Sequence, residues 1–215
     1  SARVHVDQCE IKDSAFGIVG VLGARVCCCR SLFTSLSEAG VVVVGNGSLS
    51  ELECNILACS SLYGVSVTEG AKAILQGNTI RGCKDAGVSL SGRGSWARLS
   101  ANELLANGQH GLVVADKGAA VVESGVFCEH AYGALVMDAG SYMWVLDAEN
   151  TRFYDNEQEG LFAGLGGTLT YNGTVSVGQG TEKGLRPGDL AVPCTTGEEA
   201  PAQDLPEEVA HYNFS

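Results

Sequence analysis

Basic residues are scarce in this chain. Thirteen Lys and Arg stand against 25 Asp and Glu in 215 residues, a formal net charge of −12. Nucleic acids and anionic membranes are gripped through basic stripes, so neither is an expected partner. No apolar run approaches the roughly 20 residues that cross a bilayer, and membrane insertion is not expected. Residues 1 to 20 also lack the basic start, apolar middle and small-residue cleavage site of a secretory leader. The nine cysteines contain no paired C-x-x-C step and no disulfide-ladder spacing. They are expected as reduced thiols, packed as small hydrophobes in a cytoplasmic or nuclear protein. Sequons at Asn46, Asn172 and Asn213 would matter only in a secreted one. Proline is confined to Pro187, Pro193, Pro201 and Pro206. The first residue is Ser, and the sequence opens inside a repeat, which predicts a piece of a longer protein.

What the chain has in abundance is glycine, and part of it is periodic. A glycine followed by an aliphatic or small apolar residue recurs at Gly17, Gly40, Gly64, Gly87, Gly111, Gly133 and Gly160, at intervals of 23, 24, 23, 24, 22 and 27. Such a period marks a stack of structural repeats. With 45% apolar and 18% charged residues, the chain has the composition of an ordered protein.

Aligned on that glycine, the next position holds Ile18, Val41, Val65, Val88, Leu112, Ala134 and Leu161. Two residues on come Gly20, Val43, Val67, Leu90, Val114, Val136 and Ala163, a period of two that predicts a strand with these residues inward. A second strand follows a small-residue turn, as at Ala24-Arg25-Val26 and Ala71-Lys72-Ala73. Nine residues before each glycine stands Gln8, Ser31, Asn55, Asn78, Asn102, Ser124 or Thr151. Polar side chains at one bend of every coil can bond along the stack and satisfy turn backbone, as an asparagine ladder. Two residues later, Phe33, Leu57, Ile80, Leu104, Val126 and Phe153 begin a third apolar column.

Three short strands per coil, a polar ladder and a glycine bend resemble the right-handed parallel β-helix repeat family, the fold of pectate lyases. The expected fold is all-β, a right-handed parallel β-helix of about seven coils of 22–24 residues. It is expected over residues 1–178, with an acidic, proline-containing tail at 179–215 that caps the last coil or stays unpacked. Within that family the short regular coils are most similar to eukaryotic non-enzymatic β-helix domains, those of F-box substrate adaptors and of Shc SH2-domain-binding proteins. That resemblance implies a binding module for protein or glycan.

Enzymes of this fold act on acidic polysaccharides with a base and a charge-stabilising cation or Arg on the outer face of adjacent coils. No Arg or Lys recurs beside the stacked acids, and the D-P-H motif of alginate-type epimerases is absent. No catalytic residue, cofactor or metal site is therefore assigned. Asp116 and Asp138 lie one coil apart, five residues after their glycines, in turn sequences that could also hold calcium. Tyr63, His110 and Tyr132 share the column just before the glycine and would make a sugar-stacking platform. With Asp116 and Asp138 they form the candidate glycan-binding set of a carbohydrate-active, lyase- or epimerase-like alternative. The negative charge disfavours a polyuronate there.

The outward columns point elsewhere. One reads Val19, Val42, Ser66, Ser89, Val113, Leu135 and Phe162, the other Val21, Val44, Thr68, Ser91, Ala115, Met137 and Gly164. Two apolar patches thus flank a polar waist, and contiguous apolar surface marks a contact. The leading expectation is a non-catalytic scaffold or interaction domain. It binds a protein partner, or another domain of the same chain, through Val19, Val42, Val44, Val113, Leu135 and Met137.

Overall fold

The computed structural model describes residues 2–59, 61–147, 149–171 and 174–177. The segment 179–215 and its expected capping role lie outside the described residues.

The first coils run through β1 (Arg3–Asp7), β2 (Glu10–Val21), β3 (Arg25–Cys29), β4 (Leu32–Val44), β5 (Leu49–Glu53), β6 (Ile56–Ala58) and β7 (Tyr63–Thr68). The middle coils contain β8 (Lys72–Gln76), β9 (Thr79–Arg81), β10 (Ala86–Ser91), β11 (Trp96–Ser100), β12 (Asn102–Leu105), β13 (His110–Ala115) and β14 (Ala119–Val122). The last are β15 (Gly125–Cys128), β16 (Tyr132–Met137), β17 (Tyr142–Val145), β18 (Thr151–Tyr154), β19 (Glu159–Gly164), β20 (Thr168–Tyr171) and β21 (Thr174–Val177). Each strand pairs in parallel with its counterpart one coil away, and only β21 turns back antiparallel on β20. Three faces result: one from β1 to β20, one from β6 to β18, and one from β7 to β19. The long strands β2 and β4 round the corner between the last two faces. This is the all-β parallel solenoid of about seven coils that the glycine period predicts. Among the described residues there is no helix, hence none long and apolar enough to cross a membrane.

The glycine column exists because the coils meet there. A Cβ on Gly87 would lie 2.8 Å from the carbonyl oxygen of Gly111. The equivalent Cβ on Gly17, Gly40, Gly64, Gly111 or Gly133 would come closer still to the next glycine's carbonyl. Inside, Phe33, Leu57, Ile80, Leu104, Phe127 and Phe153 stack in one register. Phe127 takes the place expected for Val126, because the coil ending at Gly133 is one residue short and Gly125, not Ser124, pairs with Asn102. Ser124 instead accepts the Ala101 N–H with its Oγ at 3.0 Å. In the first coil Cys9, not Gln8, holds the ladder position. A register shift in β2 between Ser14 and Phe16 displaces the count by one, and the Cys9 N–H donates to Ser31 Oγ.

The asparagine ladder forms between these points. The backbone N–H groups of Ser31, Asn55 and Asn78 donate to the Oδ1 atoms of Asn55, Asn78 and Asn102 at 2.9, 3.0 and 3.0 Å. The same three amides return hydrogen bonds to the carbonyls of Cys28, Leu52 and Leu75. A second ladder, which the sequence reading missed, occupies the corner under the glycines. There the N–H groups of Cys83, Asn107 and His130 donate to Asn107 Oδ1, His130 Nδ1 and Asn156 Oδ1. Serines serve the remaining corner on alternate coils, with Ser48, Ser95 and Ser141 accepting the N–H of Gly23, Gly70 and Lys117. Most of what the turns would leave unpaired is thereby satisfied inside the rod.

His130 stands where an asparagine would. Nδ1 accepts from Asn107 N–H at 3.0 Å, and Nε2 lies 2.9 Å from the Leu104 carbonyl, so the network assigns the neutral Nε2–H tautomer. Burial lowers its pKa, against the raising influence of its backbone hydrogen bonds and of Glu129. Below about pH 6.5 the unfolded chain therefore binds the proton more readily than the folded one. The stability His130 contributes is full above that pH and is lost progressively as pH falls toward the lower folded-state value. Denaturant melts of His130→Asn should keep the neutral-pH stability and flatten its fall below about pH 6.5. His130→Ala should cost about 2 kcal/mol at neutral pH, because Asn107 N–H and Leu104 C=O are left buried and unpaired.

Candidate functional site

Three outer surfaces carry the chemistry-bearing side chains. At the corner where the third face begins, the column before the glycines runs Tyr63, Ala86, His110, Tyr132 and Glu159 in direct register. Ala86 is fully buried, and the loop residue before it, Asp85, fills the gap between Tyr63 and His110. His110 Nδ1 is buried and lies 3.6 Å from Asp85 Oδ1. The His110 and Tyr132 rings stack at 5.8 Å, and Phe162 tilts against Tyr132 at 5.6 Å. Burial lowers the His110 pKa, and the Asp85 carboxylate opposes that shift. The Tyr63 phenol is pushed up, first by burial and then by Asp85.

His110 thus has the carboxylate partner that the linear sequence hides. Its signal was the column two residues before each glycine, where Asp85 and Glu38 are the acids. The other half of the expected glycan set lies elsewhere. Asp116 and Asp138 sit at the far end of the same face, six residues along β13 and β16, about 20 Å from His110 and Tyr132. Both have left-handed φ, 52° and 72°, as turn residues. Ser91 Oγ donates to Asp116 Oδ2 at 2.6 Å, and the Asp116 N–H donates to Asp138 Oδ2 at 3.4 Å. Their carboxylates fasten one turn to the next.

The outward columns on the third face are continuous in register, from Val19 through Val42, Ser66, Ser89, Val113 and Leu135 to Phe162. Their exposure is unequal. Phe16, Val19, Val21 and Leu22 are 46, 52, 42 and 93% exposed, whereas Leu135 is 5% exposed. Val42, Val44, Val113 and Met137 are partly buried. Leu135 therefore leaves the candidate surface: Phe162 and Val113 flank it on neighbouring coils. Phe16 and Leu22, which were not in the candidate set, enter it at the N-terminal end.

On the first face a cavity of about 320 Å³ is lined by His5, Cys27, Cys29, Glu51, Glu53 and Gln76 among others. Cys27 Sγ donates to Glu51 Oε2 at 3.1 Å and Cys29 Sγ to Asp7 Oδ1 at 3.4 Å. The Cys27 pKa is raised first by the hydrogen bond to Glu51, and that of Cys29 first by burial and then by Asp7. Both are held as thiols, weaker nucleophiles and ligands than thiolates. Among the described residues no three His, Cys, Asp or Glu side chains come together to hold a metal ion. The core thiols are quieter still, with Cys83 pushed up to about 12 by burial. Every described cysteine is free.

The Asp85–His110 pair is open to a direct check. His110, followed by NMR titration in the intact chain, should titrate below the ordinary imidazole range. Asp85→Asn should move it lower again, since the carboxylate favours the imidazolium. An unchanged or higher value in the variant would mean the two side chains do not interact in solution.

Comparison with known proteins yields one family. No curated protein and no solved structure matches the chain. The family model of the right-handed β-helix region matches residues 1–156. With its register-paired strands, its ladders and this match over most of its length, the chain belongs to the right-handed β-helix family.

Proposed function

We propose that this β-helix is a non-catalytic interaction module within a larger protein or complex, a rod that offers the N-terminal part of its third face to a protein partner. The observation that carries this reading is the pair of outward apolar columns Val19–Val42 and Val21–Val44, in register on the third face and turned away from the core. Contiguous apolar surface on an ordered protein marks a contact. Covering a few hundred Å² of it at about 25 cal/mol per Å² contributes several kcal/mol before association costs. Exposed Asp13 and Glu38 border the patch at one end and Glu69 at the other. With the net charge of −12, they favour a partner whose apolar centre is ringed by basic residues. The described cysteines are all free, which supports a reducing compartment, the cytoplasm or nucleus.

A second reading rests on the stacked His110–Tyr132 pair beside Asp85, which would bind a neutral glycan at that corner. One experiment separates the two. The tagged full-length protein, its Val19→Asp/Val21→Asp variant and its Tyr132→Ala variant are each used for partner capture with identification by mass spectrometry, and for glycan-array binding. The interaction reading expects a stoichiometric protein partner that Tyr132→Ala retains and Val19→Asp/Val21→Asp loses at least about 100-fold, two charges being buried against apolar surface. Capture unchanged by the aspartates, or array binding lost only in Tyr132→Ala, would reject it.

A further inference from the structure

Acidic side chains on several coils are already engaged. Asp7 is ion-paired to Arg30 and Glu123 to Arg98, and Asp116 accepts the Ser91 hydroxyl. Asp85 is placed differently. In the column Tyr63–Ala86–His110 the middle coil carries no ring, and Asp85 fills that gap above buried Ala86. Its carboxylate therefore lies between two aromatic side chains whose backbones are two coils, about 10 Å, apart.

Nothing facing the carboxylate there cancels its charge at neutral pH. The Tyr63 phenol is held neutral, and burial holds the His110 imidazole toward its neutral form. The imidazole is not a close partner either. His110 Nδ1 is 3.6 Å from Asp85 Oδ1, too long for a hydrogen bond, and that buried nitrogen has no hydrogen-bond partner among the described residues. Tyr132 stacks on the His110 ring from the far side and fixes it as one wall of the notch. The Asp85 side chain keeps 38% of its surface exposed, so a visiting group can reach it.

The notch thus offers carboxylate oxygens flanked by π-faces, in a chain of net charge −12. Both features attract cations. A guanidinium suits it better than an ammonium: it is planar, lies flat against a ring, and gives a carboxylate two parallel N–H donors. The notch also borders the outward apolar columns. Tyr63 pairs with Ala39 and stands three residues before Ser66, the neighbour of Val42, which places it about 11 Å from Val42 and within the footprint of one ordinary interface.

Building on the interaction reading above, we propose that the Tyr63–Asp85–His110 notch receives an arginine side chain of the protein partner. The guanidinium pairs with the Asp85 carboxylate and packs against the flanking rings, anchoring a contact whose apolar part covers Val42 and Val44. Arginine is one of the residues that carry most of the binding energy at interfaces, and it does so from sites of this kind.

The test follows the Tyr63 and His110 ring signals of the intact chain by NMR. Three capped tripeptides are titrated in, with arginine, lysine or citrulline between two glycines, citrulline being the uncharged isostere of arginine; methyl β-glucoside is the fourth probe. The arginine peptide should shift both rings saturably and bind at least about 10-fold more tightly than the citrulline peptide. Asp85→Asn, which keeps the shape of the side chain, should weaken the arginine peptide at least about 10-fold while the ring signals report an intact fold. Equal binding of the arginine and citrulline peptides, no saturable shift, or unchanged affinity in Asp85→Asn would overturn the proposal. Lysine binding as tightly as arginine would overturn the choice of guanidinium, and shifts with the glucoside alone would give the corner to the glycan reading. None of these failures touches the apolar columns, which are judged by the Val19→Asp/Val21→Asp capture.

Discussion

Successive coils meet backbone to backbone at the glycine corner, and the rest of the molecule follows from that approach. With the next glycine's carbonyl where a Cβ would have to be, only glycine fits, and its recurrence sets the period. The backbone groups crowded at the neighbouring bends must then be satisfied without water. The Asn55–Asn78–Asn102 ladder and the Asn107–His130–Asn156 ladder do this from inside the rod. Each ladder side chain accepts from the preceding coil's backbone N–H and donates to a carbonyl of that same coil, so it ties adjacent coils at one height. The apolar columns of Val, Leu, Ile and Phe can then stack like on like.

Much of this was legible in the sequence, for a physical reason. Inward positions of a parallel solenoid are constrained in every coil, so the Gly, Val and Asn columns repeat and can be aligned by eye. The errors fall where one coil departs from the count. The shift in β2 puts Cys9 rather than Gln8 on the ladder, and a one-residue deletion puts Gly125 and Phe127 where Ser124 and Val126 were expected. The second ladder was illegible because its column begins as Leu36, Cys59 and Cys83 and turns polar only at Asn107. A chemically mixed column has no signature, so nothing in the linear sequence marks His130 as part of a ladder.

The outer surface was harder to read. Outward residues answer to neighbours on adjacent coils and across the corner loops, which no single column reveals. Leu135 looks like Val19 in sequence, yet Phe162 and Val113 pack beside it and leave it almost fully buried. Asp85 reaches His110 from a loop one coil away. The cysteines of the first face pair with Glu51 and Asp7 from the coils on either side, which turns a cluster suggestive of metal into hydrogen-bonded thiols. What emerges is a rod satisfied within, with apolar residues standing outward on the third face beside a polar waist. That outward apolar patch is the basis for reading it as a binding module.

Residue-level hydrogen exchange on the isolated full-length chain tests this account most directly. The ladder amides of Asn55, Asn78, Cys83 and Asn107, buried and bonded to side-chain acceptors, should exchange slowest, near the limit of global unfolding. Ladder amides that exchange as freely as turn residues would contradict it, for they would mean that the ladders do not hold the stack.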